Sequence, residues 1–276
     1  MLLVLNVNNT NTVIALYPLS GQRTGELRAT WRISTRQAQT ADEYGILIRS
    51  LLAMEGVDSN AIGGIVIASV VPPMDWILRQ FCERYFSHKP LFIEPGVKTG
   101  LPILTDHPAE VGADRIANCV GAFHLYRGPC IVIDFGTATN FDVISKRGEF
   151  LGGAIAPGMN IAAEALFARA ARLPRVEIKR PPKVIGTNTV DNLQIGLFYG
   201  HIGLVDGILK RMIAELGPET KCVATGGLAR LIADESQYIS EVNDTLTLEG
   251  LRIIYERNLA AGTHTRVRKS RAAQEA

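Results

Sequence analysis

The residues whose types and spacing could do chemistry gather in two short polar turns. One is Leu5-Asn6-Val7-Asn8-Asn9-Thr10-Asn11; the other is Ile133-Asp134-Phe135-Gly136-Thr137-Ala138-Thr139. Each is an apolar run that breaks into small polar residues and then resumes as a returning strand. A tight turn between strands points its backbone N–H groups outward. Hydroxyls on Thr10, Thr137 and Thr139 would add donors, giving a nest suited to phosphate oxygens. A carboxylate at a strand end, as at Asp134, can hold a metal ion or its waters beside those phosphates. Two such turns, one in each half of the chain, can clamp a nucleotide. Downstream, Val223-Ala224-Thr225 ends in Gly226-Gly227, where backbone can approach a ligand closely. Either turn alone also fits an ordinary hairpin connection; the pair, with the third glycine-rich strand end, points to nucleotide binding. No G-x-G-x-x-G follows a strand and opens a helix, which disfavours a Rossmann dinucleotide site.

The elements that must position these turns follow from periodicity. Leu2 to Val7 is apolar except for Asn6, as in a strand buried on both faces. Thr12 to Tyr17 returns as its hairpin partner, and Ala29, Trp31 and Ile33 alternate onto one face of a third strand. Thr40 with Glu43 makes a capping box for a helix whose buried side is expected to carry Ile46, Leu47, Leu51 and Leu52. Gly64 to Ser69 is a buried strand. Trp76, Ile77, Phe81 and Phe86 suggest the next helix, and Leu91-Phe92-Ile93 a further strand. A helix from about Gly112 repeats Ile116, Cys119, Val120 and Phe123 at helical spacing. The second half starts again with strands at Cys130 to Phe135, Phe141 to Ser145 and Glu149 to Ile155. Helices at Met159 to Ala171 and Thr189 to Leu216 follow, separated by a basic, proline-rich loop. The duplication is too widely spaced for a solenoid; it predicts two similar α/β domains facing each other across a cleft.

With 276 residues the chain can fill two domains. A net charge of +2 is too small to make nucleic acid or a membrane the main partner. Cys82, Cys119, Cys130 and Cys222 form no C-x-x-C pair and read as buried thiols of a reducing cytoplasm. Met1 to Leu5 reads as a first strand, not a secretory leader. Arg266, Arg268, Lys269 and Arg271 read as a solvated terminus.

Further segments carry a family resemblance. Gly112-Ala113-Asp114-Arg115, Asp134 to Thr139, Gly152-Gly153-Ala154-Ile155-Ala156-Pro157-Gly158, Ile185-Gly186-Thr187-Asn188-Thr189 and Thr225-Gly226-Gly227-Leu228-Ala229 resemble type III pantothenate kinases, in order, over Leu2 to about Asn258. The resemblance implies an actin-like ATPase fold of two ribonuclease-H-like domains, 1–115 and 116–276, with a nucleotide cleft between them. It implies a cytoplasmic homodimer using ATP, Mg²⁺ and a monovalent cation (K⁺ or NH₄⁺) to phosphorylate pantothenate. Asp114 matches the general base; Gly112, Ala113, Arg115, Thr189 and Thr105 fall at substrate positions. Asn6, Val7, Asn8, Asn9, Thr10, Asn11, Thr12, Val13, Thr137, Gly226 and Gly227 fall at ATP positions, and Asp134 at the monovalent-cation ligand.

This chain departs from the family pattern at the first turn. The family reads D-x-G-N-T-N where Asn6-Val7-Asn8-Asn9-Thr10-Asn11 stands here, and the internal repeat sets Asn6 against Asp134 and Asn8 against Gly136. Asn6 keeps the shape of aspartate without its charge, so it can bond a Mg²⁺-bound water but not neutralise the ion. Asn8 is expected to replace glycine by tolerating positive φ. Thr105 stands for a substrate-contacting Tyr, His107 for an Asn and Asn140 for a Thr; His107 reads as a solvated loop residue. The intact Gly112 to Arg115 motif favours a working kinase. The altered turn leaves open a nucleotide- or metabolite-binding regulator resembling a transcription accessory factor. An actin-like kinase for another acceptor fits the Gly112 to Arg115 motif less well.

Overall fold

The strand that ends in Asn6 is the centre of a sheet. In the computed structural model, which describes residues 1–22, 24–170 and 172–260, β1 (Leu2–Val7) is buried along its whole length. It pairs antiparallel with β2 (Asn11–Tyr17), which pairs with β3 (Ala29–Ser34) at the edge. After α1 (Ala41–Met54), β4 (Gly64–Ser69) lies parallel to β1 on its other side. α2 (Pro72–Phe86) then leads to β5 (Leu91–Phe92), giving the order β3-β2-β1-β4-β5. A strand with a neighbour on each side and helices over its faces must be apolar throughout, and Leu2-Leu3-Val4-Leu5 meets that demand. β3 alternates half-buried and exposed residues, as its edge position requires.

α3 (Ala113–Tyr126) precedes a second sheet. β6 (Cys130–Phe135) pairs antiparallel with β7 (Ala138–Ile144), which pairs with β8 (Phe150–Pro157). α4 (Met159–Arg169) and α5 (Thr189–Leu216) follow, then β9 (Lys221–Gly226) returns parallel to β6. α6 (Ala229–Ala233), β10 (Glu241–Val242) and α7 (Leu246–Ala260) complete the described chain, and the second sheet has the order β8-β7-β6-β9-β10. The two sheets therefore share one topology, as the repeat predicts, and it is that of the ribonuclease-H-like sheet implied by the family resemblance.

One sequence expectation about a helix face is corrected. In α1, Thr40 Oγ1 accepts from the Glu43 amide at 3.2 Å and Glu43 Oε2 accepts from the Thr40 amide at 2.7 Å, so the capping box forms. The buried row is Tyr44, Ile48 and Leu52, while Ile46 is 65% exposed. Tyr44 stacks near Phe81, with ring centroids 5.8 Å apart, and this aromatic pair turns the helix. In α2 the buried row is Met74, Leu78, Phe81, Cys82 and Phe86, and Trp76 is 69% exposed.

The contacts divide the chain into two units. The first comprises Met1–Gly100, Ala109–Gly121 and the chain from Thr247; the second comprises Leu101–Pro108 and Ala122–Leu246. α7, which the sequence pattern does not announce, belongs to the first unit. A Cβ on Gly250 would strike the Ala117 backbone carbonyl on α3, and Thr247 donates to Asn118 Oδ1 beside it. Asn258 clasps Lys98, its Nδ2 donating to the carbonyl at 3.0 Å and its Oδ1 accepting from the amide at 3.2 Å. All four cysteines are buried, and none is in a disulfide among the described residues. Among the described residues no helix is long and apolar enough to cross a membrane. The basic residues Arg266 to Arg271 lie outside the described residues.

Candidate functional site

The second polar turn is built by strand register and three close backbone approaches. Phe135 pairs with Thr139, leaving Gly136, Thr137 and Ala138 as the turn, and the Gly136 amide donates to the Ala138 carbonyl at 3.0 Å. Gly136 and Thr137 are exposed. Gly158, which caps α4, lies against the turn: a Cβ there would strike the carbonyl oxygens of Thr137 and Gly136. Gly226 ends β9 with φ +93, and a Cβ on it would lie 2.6 Å from Asp134 Oδ1 and 2.7 Å from the Phe135 amide nitrogen. Only glycine serves there, both for its left-handed backbone and for the approach to Asp134. Gly227 follows it, exposed.

Thr139 does not join the outward hydroxyls, contrary to the sequence expectation. It is 1% exposed, and its Oγ1 lies 3.1 Å from Nε2 of His201 on α5. A residue that pairs with the last position of β6 points its side chain into the sheet's packing, not into the turn.

The first turn repeats this plan with one residue more. Val7 pairs with Thr12, so four residues, Asn8 to Asn11, lie between them, and the Asn8 amide donates to the Asn11 carbonyl at 3.1 Å. The residue-for-residue superposition of the two turns therefore slips by one after the turn. Thr12, not Asn11, is the counterpart of Thr139, and Val13 that of Asn140. Thr12 is buried like Thr139, its Oγ1 lying 2.9 Å from Thr35 Oγ1. Asn9 and Thr10 are exposed, and the Thr10 carbonyl accepts from the Thr35 amide at 3.0 Å.

Asn6 is 6% exposed, between Val13 and Ala68 in the sheet. Its Oδ1 and that of Asn8 are buried without a hydrogen-bond partner among the described residues. Residues two apart on an extended strand share a face, so two neutral acceptors stand together there. An unpaired buried acceptor is costly unless something donates to it, and a cation-bound water would do so; this chemistry fits the outer shell of a hydrated Mg²⁺. Among the described residues no three His, Cys, Asp or Glu side chains converge on a metal position. Any cation would draw most of its ligands from phosphate and water. Asn8 has no positive φ, nor has Gly136, so the expectation that Asn8 answers a left-handed turn is corrected: the turn asks for no special backbone here.

Asp114 sits in the first turn of α3 and is largely buried. Its Oδ1 accepts from the Arg115 amide at 2.8 Å, and a Cβ on Gly112 would lie only 2.7 Å from the same oxygen. Gly112 thus leaves the room into which Asp114 folds back. Burial pushes the Asp114 carboxyl above its usual range; the Arg115 amide and guanidinium partly offset this. Such a raised carboxyl holds a proton more readily than an exposed aspartate does. Ala113 is buried and Arg115 half-buried beside it.

Thr105 lies on a strap held to β8 by the Leu104 amide donating to the Phe150 carbonyl and the Phe150 amide to the Pro102 carbonyl, each at 2.8 Å. Its Oγ1 is buried without a hydrogen-bond partner among the described residues. Thr189 opens α5 in an exposed position, next to Asn188, whose Oδ1 accepts from the Asp191 amide at 2.9 Å. His107 is exposed, as expected of a solvated loop residue. The first unit holds Asn6 to Val13 and Gly112 to Arg115; the second holds Asp134, Thr137, Gly226, Gly227, Thr105 and Thr189. His201 was missed from the sequence. Its signal was a polar residue inside the apolar row Phe198, Ile202 and Val205 of α5.

Residues 2–211 match the family model of type III pantothenate kinase. The chain is 76% identical over 262 residues to the type III pantothenate kinase of Acidobacterium capsulatum, covering 95% of this chain and 96% of that one. It is 61% identical over 263 residues to that of Koribacter versatilis, covering 94% and 96%. Among solved structures, a ROK family glucokinase from Streptomyces griseus in complex with glucose and AMPPNP matches with TM-score 0.53 at 14% identity, over 92% of this chain and 98% of that one. The activator of 2-hydroxyisocaproyl-CoA dehydratase from Clostridium difficile with bound ADPNP matches with TM-score 0.54 at 12% identity, over 94% and 96%. At these identities the two structures speak for the fold, which is the actin-like one.

Proposed function

The chain belongs to the type III pantothenate kinase family, and from that premise we propose that it transfers the γ-phosphoryl group of ATP to the primary hydroxyl of pantothenate. The products are 4′-phosphopantothenate and ADP, the first step toward coenzyme A. Asp114 carries the proposal: a carboxylate set by Gly112 and the Arg115 amide, in a motif that matches the family without change. It accepts the hydroxyl proton as the alcohol oxygen bonds to the γ-phosphorus and the bond from that phosphorus to the bridging oxygen of ADP breaks. Arg115 pairs with an anionic group of the substrate; Thr105 and Thr189 offer hydroxyls to pantothenate. The exposed residues of the two turns, Asn9 and Thr10 in the first and Gly136 and Thr137 in the second, hold phosphate oxygens, and Gly226 and Gly227 admit the adenosine. Mg²⁺ bound with the nucleotide neutralises charge on the transferring phosphoryl. Asn6 would hold one of its waters, and Asp134 a monovalent cation, K⁺ or NH₄⁺.

The protein acts as a homodimer in the cytoplasm. α5 supports the dimer: Cβ atoms on Gly196, Gly200 and Gly203 would meet nothing within 4 Å, so this glycine face is open. Ile155, Val184 and Ile185 of the same unit are exposed by 65%, 65% and 83%, apolar side chains that a second copy would cover. Gly200→Leu should give monomers in light scattering. The four buried thiols suit a reducing compartment.

The deciding experiment supplies ATP, Mg²⁺, K⁺ and pantothenate and measures phosphopantothenate, with Asp114→Asn and Asn6→Asp run alongside. Turnover that Asp114→Asn lowers by about 10²–10⁴-fold is expected. No turnover in either the unsubstituted protein or Asn6→Asp, with ATP still bound, would replace this reading by a nucleotide-binding regulator, which the uncharged Asn6 alone favours.

A further inference from the structure

The hydroxyl behind each phosphate turn is satisfied differently, and the difference points to a residue outside the motifs. Behind the first turn, Thr12 Oγ1 meets Thr35 Oγ1 at 2.9 Å, a residue on the connection just after β3. Behind the second, Thr139 Oγ1 meets His201 Nε2 at 3.1 Å, in the middle of the 28-residue helix α5. Thr139 pairs with Phe135 across the base of the three-residue turn, so its place sets where the exposed Gly136 and Thr137 stand. The His201 ring also packs against Phe135, with ring centroids 6.1 Å apart. One imidazole therefore contacts both residues of the pair that closes the turn.

We propose that His201 is a positioning residue for ATP: it fixes the Phe135–Thr139 pair and thereby the phosphate-binding conformation of Gly136 and Thr137. The proposal rests on the assignment of this turn to ATP. His201 is 7% exposed, and burial lowers its proton affinity and keeps the imidazole neutral. A neutral ring bonds Thr139 in either tautomer, with Nε2 donating or accepting. A turn of three residues with no helix of its own is held by few bonds. Loss of one buried bond at its base is expected to loosen it by the worth of an ordinary hydrogen bond, about five- to tenfold in affinity.

The test uses the full-length protein and four variants: His201→Leu, His201→Gln, Thr139→Val and the His201→Leu/Thr139→Val pair. ATP affinity is measured by calorimetry, KM for ATP and for pantothenate by turnover, and Tm by thermal melting. His201→Leu and Thr139→Val should each weaken ATP about five- to tenfold while KM for pantothenate stays within about twofold. The double variant should be no worse than the weaker single one, because both remove one interaction. His201→Gln, whose amide reaches the Nε2 position, should restore most of the affinity. Equal ATP affinity in all four variants, with only Tm lowered, would overturn the proposal and leave the ATP assignment standing. Failure of the unsubstituted protein to bind ATP would overturn both. Thr139→Val preserves shape, so a His201→Leu protein that does not fold still leaves a decisive comparison.

Discussion

The two hairpin turns are the same scaffold used for different chemistry. β1 and β6 occupy the same position in sheets of the same order, each with an antiparallel hairpin on one side and a parallel strand on the other. Each pairs its last residue with a buried threonine. The resemblance ends at the groups that meet charge. Asp134 bears a carboxyl group close against Gly226; Asn6 bears an amide, and at the place equivalent to Gly226 stands Ser69. Ser69 Oγ instead accepts from the Val71 amide at 3.2 Å and leads the chain into α2. A repeat holds backbone geometry because register and burial enforce it. The side chain at the strand end is not so constrained, because register is set by backbone pairing and not by that side chain.

Exchanging the two charges tests this contrast most severely. Asn6→Asp should strengthen Mn²⁺ binding in the presence of ATP by about 10–100-fold, the usual scale for groups that hold a metal through its outer shell. It should leave the K⁺ requirement unchanged. Asp134→Asn should do the reverse, abolishing activation by K⁺ with little change in Mn²⁺ affinity. Titration of Mn²⁺ by electron paramagnetic resonance reads the first and K⁺-dependent nucleotide affinity the second. If both substitutions moved both cations equally, the two turns would share one cation site and the comparison would fail.

The next effect separates the turns from the base. Asp114 has its carboxyl raised by burial above the usual value of 3.8. The base must be ionised, so kcat/KM should fall as pH drops through that raised value, about tenfold for each pH unit below it. Asn6→Asp should not move the limb. The same shift has a stability consequence. A raised carboxyl favours the fold while protonated, and that contribution is lost as pH rises through the folded-state value. Asp114→Asn removes the cost of ionisation. Its Tm should therefore gain on that of the unsubstituted protein between pH 4 and pH 8; a gap constant with pH would contradict the burial of a charge-bearing Asp114.

Gly226→Ala comes third. The left-handed φ of +93 and the 2.6 Å approach to Asp134 both forbid a Cβ, so about 1–3 kcal/mol of stability should be lost, read by denaturant unfolding. K⁺ activation should weaken with it because Asp134 must move. Ser69→Ala, at the equivalent place in the first unit, should leave K⁺ activation intact.

What the sequence allowed to be read follows the same division. Strands buried on both faces, such as Leu2–Val7 and Gly64–Ser69, were legible because continuous apolar runs have one structural outcome. α5 was legible from end to end because Asn188 and Gly217 cap it. Helix faces were less so: Ile46 and Trp76 are apolar yet exposed, since an amphipathic stripe can rotate by one residue when an aromatic pair such as Tyr44 and Phe81 takes the centre. The site motifs were legible as motifs, but register was not. One extra residue in the first turn exchanges Asn11 for Thr12 as the partner of Val7, and only the pairing of strands reveals it. His201 was illegible because its partner lies 62 residues away, on a strand whose threonine reads as a turn hydroxyl.

The smallest prediction concerns the most visible departure. Asn8 replaces a glycine of the family pattern, and if that glycine served a left-handed turn, restoring it would relieve strain. Here Asn8 has no positive φ, and its counterpart Gly136 has none either, with ordinary contacts of 3.6 and 3.7 Å awaiting a Cβ there. Asn8→Gly should therefore give no stability. It should cost up to about 1 kcal/mol, because glycine gains more freedom in the unfolded chain, offset in part by loss of a buried unpaired oxygen. The readout is the denaturant midpoint at constant m-value. A rise in stability of more than about 1 kcal/mol would mean that Asn8 holds strain. The two turns would then differ in backbone as well as in charge, and Asn6 would no longer bear the contrast alone.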